Sequence, residues 1–302
     1  CDKNGRVIFL AGGQTNNKEH LYVWDRDHNK FPSVKTTPLK GSDDCMNGLI
    51  VIPHSTSGKK YLLISVTNGF DTGFMYYRVI DTTLNSNKGE ISGRPNIPVK
   101  VPNGSISNSD TAVMVKEPLA AARGCDSSYY WLVAIDGGRR NTNSRDSSFL
   151  VFKVRKDSII FSHSYKTKRF IPWGNLLEFS PDGTKLVFGS VVYNFDKKTG
   201  QISEYLDFTE NTDPVFYSQY SDTSNWFVKN EMWKARNSIY SVSFSPNSKL
   251  LYFSRFPYYG LTNAVFDTIY QLDLYKAEPT KFLRPVSSLP KGAFAGFQMG
   301  PD

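Results

Sequence analysis

The chain has 302 residues, 14% of them aromatic and 21% charged, with a formal net charge of +8; this composition suits strands and turns better than helices and gives no sign of a disordered tail. The basic residues are scattered among acidic ones, apart from short clusters at Arg139, Arg140 and Arg145 and at residues 166–169, so nucleic acid, which calls for a basic stripe interleaved with aromatics, is disfavoured as a partner. No apolar run approaches the roughly 20 residues needed to span a bilayer as a helix.

Residues 6–11 and 21–24 read as two strands followed by the turn-rich Asp25-Arg26-Asp27-His28-Asn29, the outer part of a unit that lacks its first strand. A second unit has strands at 47–52, 60–66 and 74–81, and a polar stretch from Asn85 leads through Ile97-Pro98-Val99 to the next. The third has strands at 111–115, 129–135, 149–154 and 158–165. The fourth has 176–179, 185–189 and 191–195, with the hairpin turn Asp196-Lys197-Lys198-Thr199-Gly200 before a last strand near 201–205. The fifth has 239–244, 250–254, 268–274 and a short strand near 281–283.

One phrase recurs in this array. Leu176-Leu177-Glu178-Phe179-Ser180-Pro181-Asp182-Gly183-Thr184-Lys185-Leu186-Val187-Phe188 returns as Ser241-Val242-Ser243-Phe244-Ser245-Pro246-Asn247-Ser248-Lys249-Leu250-Leu251-Tyr252-Phe253, and Phe297-Gln298-Met299-Gly300-Pro301-Asp302 opens it again. A strand, a proline-set turn and a second alternating strand form the inner hairpin of a β-propeller blade. The expected fold is therefore all-β, a single β-propeller of four-stranded antiparallel blades over residues 1–302, with five blades, or six or seven if the chain is part of a longer one. The segment 294–299 is expected to pair beside 6–11 and close the ring, since the first unit has no inner strand.

Residues 207–237 are too long for a turn between blades and hold Phe216, Tyr217, Tyr220, Trp226, Phe227 and Trp233. A long aromatic loop on a rigid ring is a partner-binding candidate, here Tyr217, Tyr220, Trp226 and Trp233; the alternative is that these rings pin the loop to the rim. Trp24, Trp131 and Trp173 lie in or beside strands and are expected to be packed.

Four stretches carry a family resemblance. Asp2-Lys3-Asn4-Gly5-Arg6-Val7-Ile8-Phe9 with Tyr22-Val23-Trp24-Asp25-Arg26-Asp27-His28 is one, and Leu49-Ile50-Val51-Ile52-Pro53 is another. Tyr76-Tyr77-Arg78-Val79-Ile80-Asp81-Thr82-Thr83-Leu84-Asn85, closed by Asn87-Lys88-Gly89-Glu90-Ile91, and Tyr130-Trp131-Leu132-Val133-Ala134 complete the set, ahead of the two Ser-Pro-Asp/Asn turns. In this order the chain resembles the β-propeller region near the N-terminus of large exported Bacteroidota proteins of the type IX secretion and gliding-motility-associated kind. The resemblance implies an extracellular or outer-membrane-surface location and a protein partner in a cell-surface assembly.

A glycan-binding or glycan-hydrolysing propeller is the rival reading. Glycoside hydrolysis needs two carboxylates across the sugar bond, and channel-mouth candidates are Asp43, Asp44 and Asp110, but the following units place Asn175 and Asn237 at the corresponding positions. An asparagine exchanges no proton at neutral pH, so the acidic set is incomplete and a non-enzymatic module is expected. Asp182 and Asn247 are expected to serve their own turns. His20, His28, His54 and His163 fall in different units without ligand spacing, so no metal and no cofactor are expected. Cys45 and Cys125 are expected to be free thiols at opposite faces of neighbouring units. If Cys1 is a mature N-terminus, it carries the acyl chains of a bacterial lipoprotein, which would be the only membrane attachment.

Overall fold

A computed structural model describes residues 7–13, 20–41, 48–54, 57–67, 73–102, 112–126, 128–137, 148–167, 176–208, 239–255, 268–276, 279 and 284–288. The described chain is all-β, in antiparallel sheets. Two compact units are distinguished, the first comprising Cys1–Phe170 with Lys197–Gly200 and the second Ile171–Asp196 with Gln201–Asp302.

The first unit opens with a three-stranded sheet of β1 (Phe9–Gly13), β2 (His20–Asp25) and β3 (Leu39–Lys40), in that order. Between β2 and β3 lies α1 (Pro32–Thr36), a short helix begun by proline, whose fixed φ suits a first turn. The sequence reading placed neither α1 nor β3, because five and two residues are too short to show a period.

An eight-stranded sheet follows, built of β4 (Leu49–Pro53), β5 (Lys60–Val66), β6 (Gly73–Asp81), β7 (Glu90–Pro98), β8 (Met114–Arg123), β9 (Tyr130–Asp136), β10 (Ser148–Arg155) and β11 (Ser158–Lys166). It is two four-stranded runs joined at a corner, where Gly73 and Phe74 of β6 pair with Val115 and Met114 of β8. A Cβ at Gly73 would lie 1.8 Å from the Thr67 carbonyl oxygen, so only glycine allows that approach.

Two expectations are corrected here. The stretch from Asn85 is not a connector: it holds the fourth strand β7, disguised by Gly93 and Pro95 and paired to β6 across a bulge. The first strand of the next unit does not stop at Val115 either. Beyond a bulge over Lys116-Glu117-Pro118, β8 resumes and pairs Leu119–Arg123 with β9, so residues between the two expected strands are absorbed within one strand.

The second unit has two four-stranded sheets, β12 (Leu177–Phe179) to β15 and β16 (Ile239–Phe244) to β19, each with its strands in chain order. Between them come β13 (Lys185–Phe188), β14 (Val191–Phe195), β15 (Ile202–Asp207), β17 (Leu250–Arg255), β18 (Thr268–Asp273) and β19 (Arg284–Ser288). The last strand thus begins after residues 281–283, where the sequence reading put it.

Each core lies between consecutive sheets or, in the eight-stranded sheet, between its two runs. In the first unit Leu21, Val23 and Leu39 meet Leu63, Ile80 and Ile91, while Leu62, Ile64 and Met75 meet Leu132, Leu150 and Phe152. In the second, Val187 and Val192 meet Val242, Phe244, Leu251 and Phe253. No helix among the described residues is long and apolar enough to cross a membrane.

Candidate functional site

The repeated phrase builds the most distinctive polar site. In β12 the alternation buries Leu177 and Phe179 and leaves Glu178 partly exposed on the other face. The following turn is closed by Ser180, whose N–H donates to the Lys185 carbonyl at 3.0 Å while its Oγ accepts from the Lys185 N–H at 2.9 Å. Its hydroxyl donates to Asp182 Oδ1 at 2.6 Å, and that oxygen also accepts from the Thr184 N–H and hydroxyl, both at 2.9 Å.

The second copy repeats these bonds. Ser245 closes on Leu250 at 2.9 Å in both directions, and Asn247 Oδ1 takes the Ser245 hydroxyl at 2.8 Å and the Lys249 N–H at 3.1 Å. A carboxylate and an amide serve alike here because the turn asks only for an acceptor oxygen. Asp182 and Asn247 are turn residues, as the sequence indicated. At the position of Gly183 (φ 70°) the second copy has Ser248 at φ 60°, and Ser248 Oγ accepts from the Asp182 N–H at 3.1 Å.

Glu178 extends this link along the strands. Its Oε1 accepts from the Ser243 hydroxyl at 3.2 Å and from the Phe244 N–H at 3.3 Å, joining β12 to β16. Ser243 stands at the position of Glu178 in the second copy of the phrase, so equivalent residues of consecutive copies meet. Burial pushes the Glu178 carboxyl up to about 7, against the lowering effect of its two donors. No ion pair among the described residues involves it. Such a carboxyl can donate or accept a proton near neutral pH.

In the first unit the counterpart is Arg78 in β6, with no exposed surface. Nε donates to the Pro95 carbonyl at 3.1 Å, Nη1 to Ser65 Oγ at 2.8 Å, and Nη2 to the Lys40 carbonyl at 3.0 Å and Asn96 Oδ1 at 3.2 Å. Burial lowers its pKa to about 9, so it stays charged at neutral pH among neutral acceptors, holding β3, β5 and β7 around one guanidinium.

Trp131 is packed, as expected. Its ring is buried at the edge of Tyr129, and Lys153 Nζ lies 3.8 Å from the Tyr129 centroid and 5.3 Å from that of Trp131. Lys197, which belongs to the first unit, accepts from Trp131 Nε1 at 2.8 Å and Tyr129 Oη at 2.9 Å. Trp24 is half-buried and tilted against Tyr22. Cys125 is a free, exposed thiol 3.3 Å from Tyr129 Oη. His54 joins Asp157 at 2.9 Å, and among the described residues no group of three His, Cys, Asp or Glu converges as a metal site.

Tyr217, Tyr220, Trp226, Trp233, Asp43, Asp44, Asp110, Asn175, Asn237, Trp173, Cys45, Cys1 and the segment 294–299 lie outside the described residues. The sequence reading missed Glu178 and Arg78. The signal for Glu178 was available: three copies of one phrase place Glu178, Ser243 and Gln298 at the same inner-strand position, and only one of them titrates.

Comparison with protein families finds no match, and comparison with curated proteins finds none. Among solved structures the chain is similar to the periplasmic gluconolactonase PpgL of Pseudomonas aeruginosa, at 12% identity over 96% of this chain and 69% of that one, with a TM-score of 0.43. It is also similar to Sqt1 of Chaetomium thermophilum (14% identity, 93% and 58% covered, TM-score 0.44) and to a eukaryotic initiation factor (12%, 89% and 61%, TM-score 0.31). Similarity this low carries nothing of those proteins' activities to this chain.

Proposed function

We propose that the chain is a non-enzymatic β-propeller module that binds a protein partner in an outer-membrane or cell-surface assembly, in the secretion and gliding setting of the Bacteroidota proteins it resembles. One observation carries this reading: the repeated polar groups of the second unit hold neighbouring sheets to one another. Ser180, Asp182, Ser245, Asn247 and Ser248 all serve turns or the link between them. Residues engaged in this way make a rigid scaffold, and scaffolds of this kind act through their loops.

The test is affinity capture from native membranes with the intact chain and with a Trp226→Ala, Trp233→Ala variant. The variant is expected to lose about 2 kcal/mol or more of partner binding while its melting temperature is unchanged. Unchanged capture with a lowered melting temperature would overturn the assignment of these two residues.

Glu178 favours a second reading, glycan binding or hydrolysis, because its carboxyl titrates in the range of a general acid. A glycan array together with a hydrolysis assay on wild type and Glu178→Gln separates the two. Glycan turnover abolished by the substitution supports the second reading and overturns the first.

A further inference from the structure

The last strands of the four-stranded runs, β7, β11, β15 and β19, must each manage an exposed edge, and each carries a register shift against its inner neighbour, of one residue in β11, β15 and β19 and of three in β7. Three add further protection. β7 contains Gly93, Arg94 and Pro95, and Asn96 Oδ1 takes the Lys40 N–H at 2.7 Å. β15 carries Glu204 and Asp207, and β19 has Pro285.

β11 has none of these. Its nine residues, Ser-Ile-Ile-Phe-Ser-His-Ser-Tyr-Lys, include no proline, no glycine and no charge before Lys166, and Ile160 is 54% exposed. Among the described residues no strand lies beyond it, and none donates to or accepts from the outward backbone of residues 159–164.

The bulge gives this strand a particular symmetry. Phe161 pairs with Phe152 and His163 with Val151. Phe152 and Val151 are adjacent on β10 and so face opposite ways, hence Phe161 and His163 lie on opposite faces of the sheet. A two-fold axis between Phe161 and Ser162 therefore sets like-facing residues opposite each other: Ile160 to His163, Ile159 to Ser164 and Ser158 to Tyr165. One step further it sets Asp157, which bonds His54 through Oδ1 at 2.9 Å and is still 61% exposed, opposite Lys166, at both ends of the pair.

We propose that β11 pairs antiparallel with β11 of a second copy of this chain, forming a two-fold dimer through a continuous sheet. Charge decides for a second copy over an unrelated strand, since the strand's own ends complement each other under the two-fold. The same operation on β15 would bring its two Glu204 side chains to diagonal positions, where like charges repel. Isologous pairing of this kind is the commonest route to a closed oligomer. The contact goes beyond the proposed partner-binding role and uses a different surface.

Sedimentation of the full chain across a micromolar concentration series tests it, combined with amide exchange. The expected result is a reversible dimer with residues 159–164 protected on association. Lys166→Asp places like charges opposite Asp157 and is expected to weaken the dimer by roughly tenfold, and adding Asp157→Lys is expected to restore it. Ile160→Lys, at an exposed position, is expected to weaken it as much without unfolding the monomer. A chain that stays monomeric, a dimer indifferent to Lys166→Asp and Ile160→Lys, or residues 159–164 already protected in the dilute monomer would each overturn the proposal.

Discussion

Arg78 in the first unit is fully buried and Glu178 in the second partly so, and both are ionisable groups whose hydrogen-bond partners are neutral, yet they meet burial differently. Arg78 is fully enclosed and makes four hydrogen bonds to carbonyl, hydroxyl and amide oxygens, and its pKa, though lowered to about 9, stays above neutrality. Glu178 accepts only two, and its pKa is raised to about 7. A guanidinium begins far from neutral pH and presents its donors in a fixed fork, so it can lose several units and remain an ion. A carboxyl begins close below neutrality, and the same kind of burial carries it to the switching point. One site is a permanent staple; the other answers to pH.

The largest effect expected from this contrast is at Arg78. Arg78→Met leaves Pro95, Ser65, Lys40 and Asn96 without their shared donor in a closed site and is expected to cost about 3–5 kcal/mol in denaturant unfolding. A loss under about 1 kcal/mol would show that the guanidinium is not what joins β3 to β7.

Next comes the pH response of Glu178. Its folded pKa lies above the ordinary 4.5, so its ionisation opposes folding. This penalty is absent below pH 4.5, grows as pH rises towards about 7 and is complete above that, reaching about 2–3 kcal/mol. Glu178→Gln keeps the acceptor oxygen and removes the charge. It is expected to match wild type at pH 4 and exceed it by about 2 kcal/mol at pH 8; equal stability at both pH values would break the comparison.

The two serines sharpen it further. Ser65→Ala withdraws an acceptor from a fully enclosed cation and is expected to cost about 1–2 kcal/mol at any pH near neutral. Ser243→Ala withdraws one of the two donors to Glu178 and is expected to cost about 0.5–1 kcal/mol at pH 8, and less at pH 5, where the carboxyl is protonated. The difference between the two pH values is the informative readout.

Most strands were legible because their cores alternate or run apolar between turn residues: β5, β14 and β16 lie where apolar pattern and turns put them. β7 was hidden because Gly93 and Pro95 are signals against a strand, and they are admitted only because an outer strand needs no ladder on its far side. The second half of β8 was hidden by Pro118, which the bulge accommodates. The Ser-Pro-Asp/Asn turns were read correctly, since their hydrogen bonds are made within six residues.

Residues close along the chain sufficed for most of the strands, the repeated turn and the roles of Asp182 and Asn247, but not for β3, β7 or the second half of β8. The tertiary structure alone decided that Arg78 is a sealed cation and Glu178 a carboxyl near its switching point. Alternation tells which face of a strand a residue occupies, but the dielectric and the donors around it come from other strands: Lys40 and Pro95 around Arg78, Ser243 and Phe244 around Glu178.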